Sequence, residues 1–200
     1  MSHLILFSLA SLIAIIYAIG QRNIYRIISF VFISQLSLAL FAFSIKDLLG
    51  YLYVLSILPP ILALIVISYV IAVTSGAEID RVEGLLSRMP VSTWTFITAS
   101  IMISLFPPFM PFILEHFIIE ESLLLGQIAA ATVIVLVLIR VLTIVCLFKV
   151  SHKIFFGTPS KLEVEEPKVA YLALILVLLS ILLTFNPYFW NMTVSLGVSG

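Results

Sequence analysis

Six long apolar stretches constrain the fold of this chain more than any other feature of its sequence. A helix needs roughly 20 predominantly apolar residues to cross the hydrocarbon core of a bilayer. The stretches near or above that length are residues 3–19, 24–45, 48–74, 91–108, 127–148 and 169–185. Charged residues make up only 10% of the chain, against about 25% in an ordinary soluble domain. The sequence therefore predicts an all-α integral membrane protein.

Composition also narrows the classes of function. The formal net charge is zero and no run of Lys and Arg occurs, which argues against nucleic-acid binding and against a polybasic lipid-binding segment. Cys146 is the single cysteine, so an internal disulfide or a cysteine-based metal cluster is not expected. No nucleotide-binding loop, haem-ligand pair or nucleophile motif is apparent. We expect a chain with no cofactor or metal that is not catalytic alone.

A seventh apolar stretch, residues 109–125, carries four ionisable groups within seven residues: Glu115, His116, Glu120 and Glu121. Charge at membrane depth is costly and usually marks an ion or proton path. Lys and Arg concentrate in cytoplasmic loops. With six crossings, one side holds eight basic residues and the other holds only Lys46. The eight are Arg22, Arg26, Arg81, Arg88, Lys149, Lys153, Lys161 and Lys168.

If residues 109–125 formed a full extra crossing, that split would become four to five. We therefore interpret the stretch as a half-helix that joins residues 127–148 in one discontinuous element, interrupted near Gly126. The helix-breaking residues of this region are Pro107, Pro108, Pro111 and Gly126. This arrangement predicts that both termini lie on the non-cytoplasmic side. Residues 74–90 are expected to form a short surface helix between two spans.

Four further stretches contain motifs that follow one another in a characteristic order. They are QRNIYRIISFVFISQL at 21–36, IDRVEGLLSRMP at 79–90, SLFPPFMPFILE at 104–115 and KIFFG at 153–157. In order and spacing they resemble the antiporter-like membrane subunits of respiratory complex I, membrane-bound hydrogenases and Mrp-type sodium/proton antiporters. Members of that family contain two inverted five-helix repeats. This chain resembles the second repeat with one flanking helix before it.

The resemblance implies about six transmembrane elements, one of them discontinuous. We expect a single transmembrane domain over 1–200, with an antiporter-like region at 1–157, a polar linker at 158–168 and a C-terminal helix and tail at 169–200. The chain also departs from the family. The helix at 48–74 has Pro59 and Pro60 near the family's lysine position, and Asn23 and Tyr25 replace an acid and a lysine.

Glu115 falls where family members have a lysine or a glutamate, so it is the first candidate for ion translocation. A carboxyl group in a poorly solvated site can exchange protons. The alternative is a carboxylate at a helix end that is hydrated or paired with another subunit. His116 and Glu120 are four residues apart and share a helical face. They could form a proton exit, but we favour an interfacial position near the end of the half-helix, as for Glu121.

Arg140 lies well inside the span at 127–148, thirteen residues after Gln127 and nine before Lys149. Such an arginine should face protein or water, and Glu115 is its natural partner. Two alternatives are that Arg140 reaches the cytoplasmic interface and that it pairs with an acid of another subunit. The family does not usually have an arginine here, so a fixed ion pair could replace conduction.

These features lead to three alternative functions. The chain could be a subunit of a complex I-like, hydrogenase or Mrp-type assembly that takes part in proton or sodium translocation through Glu115. It could be a purely structural subunit of the same assembly, or an independent homodimeric ion transporter. The expected partners are other integral membrane subunits (antiporter-like and small ones), lipid, and H⁺ or Na⁺. The expected location is an energy-transducing membrane, such as a prokaryotic plasma membrane.

Overall fold

The computed structural model describes residues 2–104, 107–157, 168–188 and 191, and of residues 127–130 it describes only the backbone. These ranges contain seven α-helices. They are α1 (Ser2–Gly20), α2 (Ile24–Phe43), α3 (Asp47–Thr74), α4 (Pro90–Ile103), α5 (Met110–Leu124), α6 (Gln127–Phe155) and α7 (Val169–Thr184). No strand occurs in these ranges, and the prediction of an all-α protein is confirmed. Most of the expected linker and tail, at 158–167, 189–190 and 192–200, lies outside the described residues.

Four of the helices are long and apolar enough to cross a membrane: α1, α2, α3 and the Ala131–Phe155 part of α6. The helices α4 and α7 are apolar but shorter. Helix α3 lies at the centre, packed against α2, α4, α5 and α7, while α1 packs against α2 and α6. Pro59 and Pro60 lie inside α3 without ending it. The outward faces carry many large apolar side chains, as expected where lipid replaces water.

Contacts at the ends of α3 show how α4 and α5 run relative to it. Lys46, just before α3, forms an ion pair of 2.5 Å with Glu121 near the end of α5. At the other end of α3, the Thr74 hydroxyl lies 3.9 Å from the sulfur of Met89, just before α4. Helices α4 and α5 thus lie one after the other and run opposite to α3. We call the two ends of the bundle the Lys46 end and the basic end, since the latter holds most of the Lys and Arg residues.

Helix α4 is too short to cross the membrane by itself. Its 14 residues rise roughly 21 Å at 1.5 Å per residue, whereas the hydrocarbon core is about 30 Å thick. Helix α5 continues in the same direction after the break between Ile103 and Met110. The discontinuous element is therefore α4 with α5.

The prediction that the half-helix joins residues 127–148 in one discontinuous element is wrong. Along one interrupted helix, positions 115 and 140 would lie roughly 37 Å apart. Instead, the side chains of Glu115 and Arg140 are in contact at 2.5 Å, because α5 and α6 form an antiparallel hairpin that turns at Gly126. The number of six elements and the eight-to-one division of basic residues are unaffected by this correction, although Lys161 lies outside the described residues.

The loop between α3 and α4 is not a surface helix, contrary to the expectation for residues 74–90. Its backbone pairs with the α1–α2 loop: the Ile24 amide donates to the Ala77 carbonyl and the Ile79 amide to the Arg22 carbonyl, both at 2.9 Å. Amides engaged in this way cannot form an α-helix locally. Gly76 and Gly84 take positive φ angles of 106° and 69°, and only a short 3₁₀ helix, Leu85–Ser87, forms in the loop.

Candidate functional site

Four helices each contribute one polar side chain to a buried cluster around Arg140. The Arg140 Nε donates to Glu115 Oε1 at 2.5 Å, its Nη2 donates to the Tyr53 hydroxyl at 2.6 Å, and its Nη1 donates to Gln35 Oε1 at 3.3 Å. The Tyr53 hydroxyl donates in turn to Gln35 Oε1 at 2.9 Å. We call these four residues, from α2, α3, α5 and α6, the Arg140 cluster.

The charges of the Arg140 cluster are almost completely removed from solvent. The side chains of Arg140 and Glu115 are only 9% and 6% exposed. A lone buried charge is very unfavourable, but a buried pair with good hydrogen bonds is tolerated. The arginine uses all three of its nitrogens, which leaves the guanidinium fixed in place rather than free to reach an interface. The cluster is therefore a compact, overall neutral ion pair at membrane depth.

Two atoms of the Arg140 cluster have no hydrogen-bond partner within the described part of the chain: Glu115 Oε2 and Gln35 Nε2. Oε2 also lies 2.5 Å from Arg140 Nε, so it shares the positive charge although its angles do not make a hydrogen bond. One unpaired acceptor and one unpaired donor thus remain inside the bundle.

Local sequence explains why these side chains meet. Pro111 lies in the first turn of α5, where a missing amide proton costs little, so the helix can start again directly after the break at Pro107 and Pro108. The Met110 amide at this new start donates to Thr184 Oγ1 of α7 at 3.4 Å. Glu115 follows within the second turn of α5. Gly126 then reverses the chain, and thirteen residues of α6 carry Arg140 roughly 20 Å back into the bundle.

The other ionisable residues of α5 lie apart from the Arg140 cluster. His116 Nε2 is 3.4 Å from Glu120 Oε1, and both side chains are more than half exposed. Glu121 instead forms the half-buried ion pair with Lys46, so this lysine is tied to α5 rather than standing in a free turn. The structure brings Glu115 together with Arg140 and His116 together with Glu120, but it does not join the two pairs. Their roles in ion translocation stay a prediction.

Sequence reasoning missed Gln35 and Tyr53 as members of the site. Gln35 had a signal, because an amide inside an apolar helix needs hydrogen-bond partners. Tyr53 had none, since nothing distinguishes it from the other tyrosines in the sequence. In the ranges that the structure describes, no group of three His, Cys, Asp or Glu residues is placed to hold a metal ion.

Two solved membrane complexes contain chains with this fold. No protein-family model matches the sequence, and no curated protein matches it significantly. A chain of the Mrp complex from Dietzia sp. DQ12-45-1b superposes with a TM-score of 0.84 at 20% identity, over 96% of this chain and 45% of the other. A chain of the membrane-bound sulfane sulfur reductase, an archaeal respiratory membrane complex, gives 0.82 at 25% identity, over 98% and 41%.

The predicted resemblance to antiporter-like membrane subunits is confirmed by these two structures. Both agree with the present structure along nearly its whole length. The chain spans less than half the length of either chain that it matches. That it corresponds to the second repeat of the family stays a prediction.

Proposed function

We propose that this chain is a membrane subunit of a multi-subunit complex of the Mrp, complex I-like, hydrogenase or related respiratory type. The observation that carries the proposal is the match of nearly the whole chain to parts of chains from two such complexes. The partners are other integral membrane subunits of the same complex, antiporter-like and small ones, together with lipid. The complex lies in an energy-transducing membrane, such as a prokaryotic plasma membrane, with the basic end on the cytoplasmic side.

Within that complex, we propose that the Arg140 cluster closes the ion path through this subunit and holds the bundle together. A proton or Na⁺ that bound Glu115 would cancel the negative charge that compensates Arg140, leaving a buried cation without a partner. Helix α3 adds only the Tyr53 hydroxyl to the cluster and no second ionisable group of the lysine type. The fixed pair therefore favours a structural role over conduction.

The second candidate function is proton or sodium translocation through Glu115. The unpaired Glu115 Oε2 favours it, because this oxygen can accept a proton without displacing the hydrogen bond from Arg140. In this case Arg140 would adjust how readily Glu115 takes up and releases an ion, and would not hold its charge permanently paired. His116 and Glu120 would then form the exit toward the Lys46 end.

A charge-neutral double variant separates the two functions. In the purified, assembled complex, Glu115→Gln with Arg140→Gln removes both charges and leaves none unpaired. A structural role predicts that the assembled double variant loses none of the wild-type ion translocation. Translocation through Glu115 predicts loss of ion movement with assembly intact. Asp47→Asn, which changes a carboxylate outside the cluster, is the matched control.

Identifying the proteins that copurify with this chain tests the complex itself. A hydrogenase, a quinone reductase and an antiporter would each bring different companion subunits. Purification in a mild detergent as a discrete homodimer, with ion transport after reconstitution into liposomes, would instead establish an independent transporter. That result would contradict the proposal.

A further inference from the structure

A cleft of about 500 Å³ opens between α1 and α2 near the basic end. Its wall includes Tyr17 from α1, Gln21 from the α1–α2 loop, and Arg26, Ser29, Phe30 and Ile33 from α2. It opens on the exposed face of α2, whereas Gln35, the α2 member of the Arg140 cluster, is buried, and it takes no part in the function proposed above. The cleft faces outward from the bundle, where the surroundings are lipid or another subunit.

The wall of the cleft changes from polar to apolar along its length. Arg26, Ser29, Phe30 and Ile33 recur every three or four residues, so they share one face of α2. From Arg26 to Ile33 this face rises roughly 10 Å toward the middle of the bundle. The ring of Tyr17 stacks on Phe30 with 5.8 Å between the ring centroids and forms an apolar floor. A ligand that fits must therefore be charged at one end and apolar along the rest.

Among the described residues, no acid compensates the positive charge at the polar end. Within the described ranges, the Arg26 side chain forms no ion pair or hydrogen bond. Its neighbour Arg22 differs, since Arg22 Nε lies 3.6 Å from Asp80 Oδ2. Arg26 also follows the α1–α2 loop by only one helical turn, which places it at the depth of the headgroups. Tyrosines such as Tyr17 and Tyr25 are enriched at this depth.

We propose that this cleft binds an anionic phospholipid. Arg26 pairs with phosphate oxygens, and the Gln21 amide is near enough in the wall to donate a further hydrogen bond. One acyl chain runs along Phe30 and Ile33 toward the bilayer centre. Basic pockets between transmembrane helices on the cytoplasmic side are known to bind anionic headgroups. The proposal needs only that the chain is embedded in a membrane.

Lipid binding to the full-length protein tests this site. The protein, purified in detergent, is titrated with phosphatidylglycerol and with phosphatidylcholine, and bound lipid is counted by native mass spectrometry. The wild type is expected to prefer phosphatidylglycerol. Arg26→Gln should lower this preference about fivefold, the scale of one basic side chain near an anionic membrane surface. Arg22→Gln is the matched control and should retain the preference, because that arginine already faces Asp80.

A second variant tests the shape of the cleft without changing its charge. Ser29→Leu places a larger side chain at an exposed point of the wall and should lower lipid occupancy to a similar extent. Equal losses for Arg22→Gln and Arg26→Gln would overturn the proposal, since they would indicate general charge attraction. A photo-crosslinking residue at position 29 of the assembled complex should label lipid. Labelling of another subunit would also overturn it.

Discussion

Glu115 and Arg140 lie 25 positions apart in the sequence, yet carboxylate and guanidinium are in contact at 2.5 Å in the interior of the bundle. The contact exists because α5 and α6 run antiparallel on either side of Gly126. It also joins two further helices, since the same guanidinium reaches Tyr53 of α3 and Gln35 of α2. One arginine thus links four of the seven described helices.

Removing one charge of this pair should destabilise the protein more than removing both. Glu115→Gln or Arg140→Gln leaves a buried charge without its partner, at a cost of about 3–5 kcal/mol. The double variant leaves no such charge, so its loss should be smaller than either single loss. Unfolding in mixed micelles with rising SDS measures the three values. If the two single losses simply add in the double variant, the pair is not coupled.

The Tyr53 hydroxyl should contribute measurably to the same cluster. Tyr53→Phe removes the acceptor for Arg140 Nη2 and the donor to Gln35. Hydrogen bonds to charged groups are worth about 1.5–3 kcal/mol, and we expect a loss in that range in the same SDS titration. Tyr51→Phe on the same helix is the control, because that side chain is 66% exposed. It should change stability by less than about 0.5 kcal/mol; equal effects would argue against the cluster.

The sequence predicted the features that depend on local properties, and it failed for those that depend on contacts between segments far apart in the chain. Apolar length located the helices, and the charge distribution gave the number of crossings, because both are local properties. The need of a buried Arg140 for an acid pointed to Glu115. The predicted partner of α5 in the discontinuous element was wrong. Both Pro107-Pro108 and Gly126 interrupt a helix, and the sequence does not show at which of them the chain continues in one direction and at which it turns back.

The loop between α3 and α4 was also misjudged, because its pairing with Arg22 and Ile24 joins segments far apart in the chain. Charge alternation within that loop favours a helix only when its amides are free. Tyr53 was missed for the same kind of reason. Its hydroxyl takes part in the cluster only because the fold brings Arg140 of α6 and Gln35 of α2 within hydrogen-bond distance of it, and the sequence of α3 carries no sign of those contacts.

The backbone conformation of Gly126, and not the space around it, should determine how much a substitution there destabilises the protein. Its φ is +110°, a region that L side chains rarely adopt, while a Cβ atom there would meet nothing within 4 Å. Gly126→Ala should therefore cost about 1–3 kcal/mol from strain alone. Gly20→Ala is the matched control, since the space around Gly20 is equally open and its φ is ordinary. Equal stability of the two variants in SDS unfolding would contradict the hairpin turn.

Docking of the α3–α4 loop should depend on pH through Asp80. The hydrogen bond from Lys153, with the nearby charges of Lys153, Arg22 and Lys149, lowers the pKa of Asp80 below its ordinary value of 3.8. A lowered pKa in the folded state means that this stabilisation is complete above about pH 4 and is lost as the pH falls through the lowered value.

Hydrogen exchange of the Ile79 amide, which bonds to the Arg22 carbonyl, reports loop docking. Its protection should fall in acid in the wild type. Asp80→Asn should already be less protected at neutral pH and should show little further change in acid. Asp47→Asn, at the Lys46 end, should behave as the wild type. An unchanged acid response in Asp80→Asn would assign the pH dependence to other groups.

The orientation of the bundle can be tested with single cysteines. Cys146 is buried in α6, so Cys146→Ala gives a background without thiols. Glu120 and Arg81 have exposed side chains near the Lys46 end and the basic end, respectively. Because basic residues favour the cytoplasmic side, a membrane-impermeant maleimide on intact cells should label Glu120→Cys but not Arg81→Cys. Permeabilised cells should show labelling of both. The reverse pattern would place the basic end outside and, with it, the Arg26 cleft in the other leaflet.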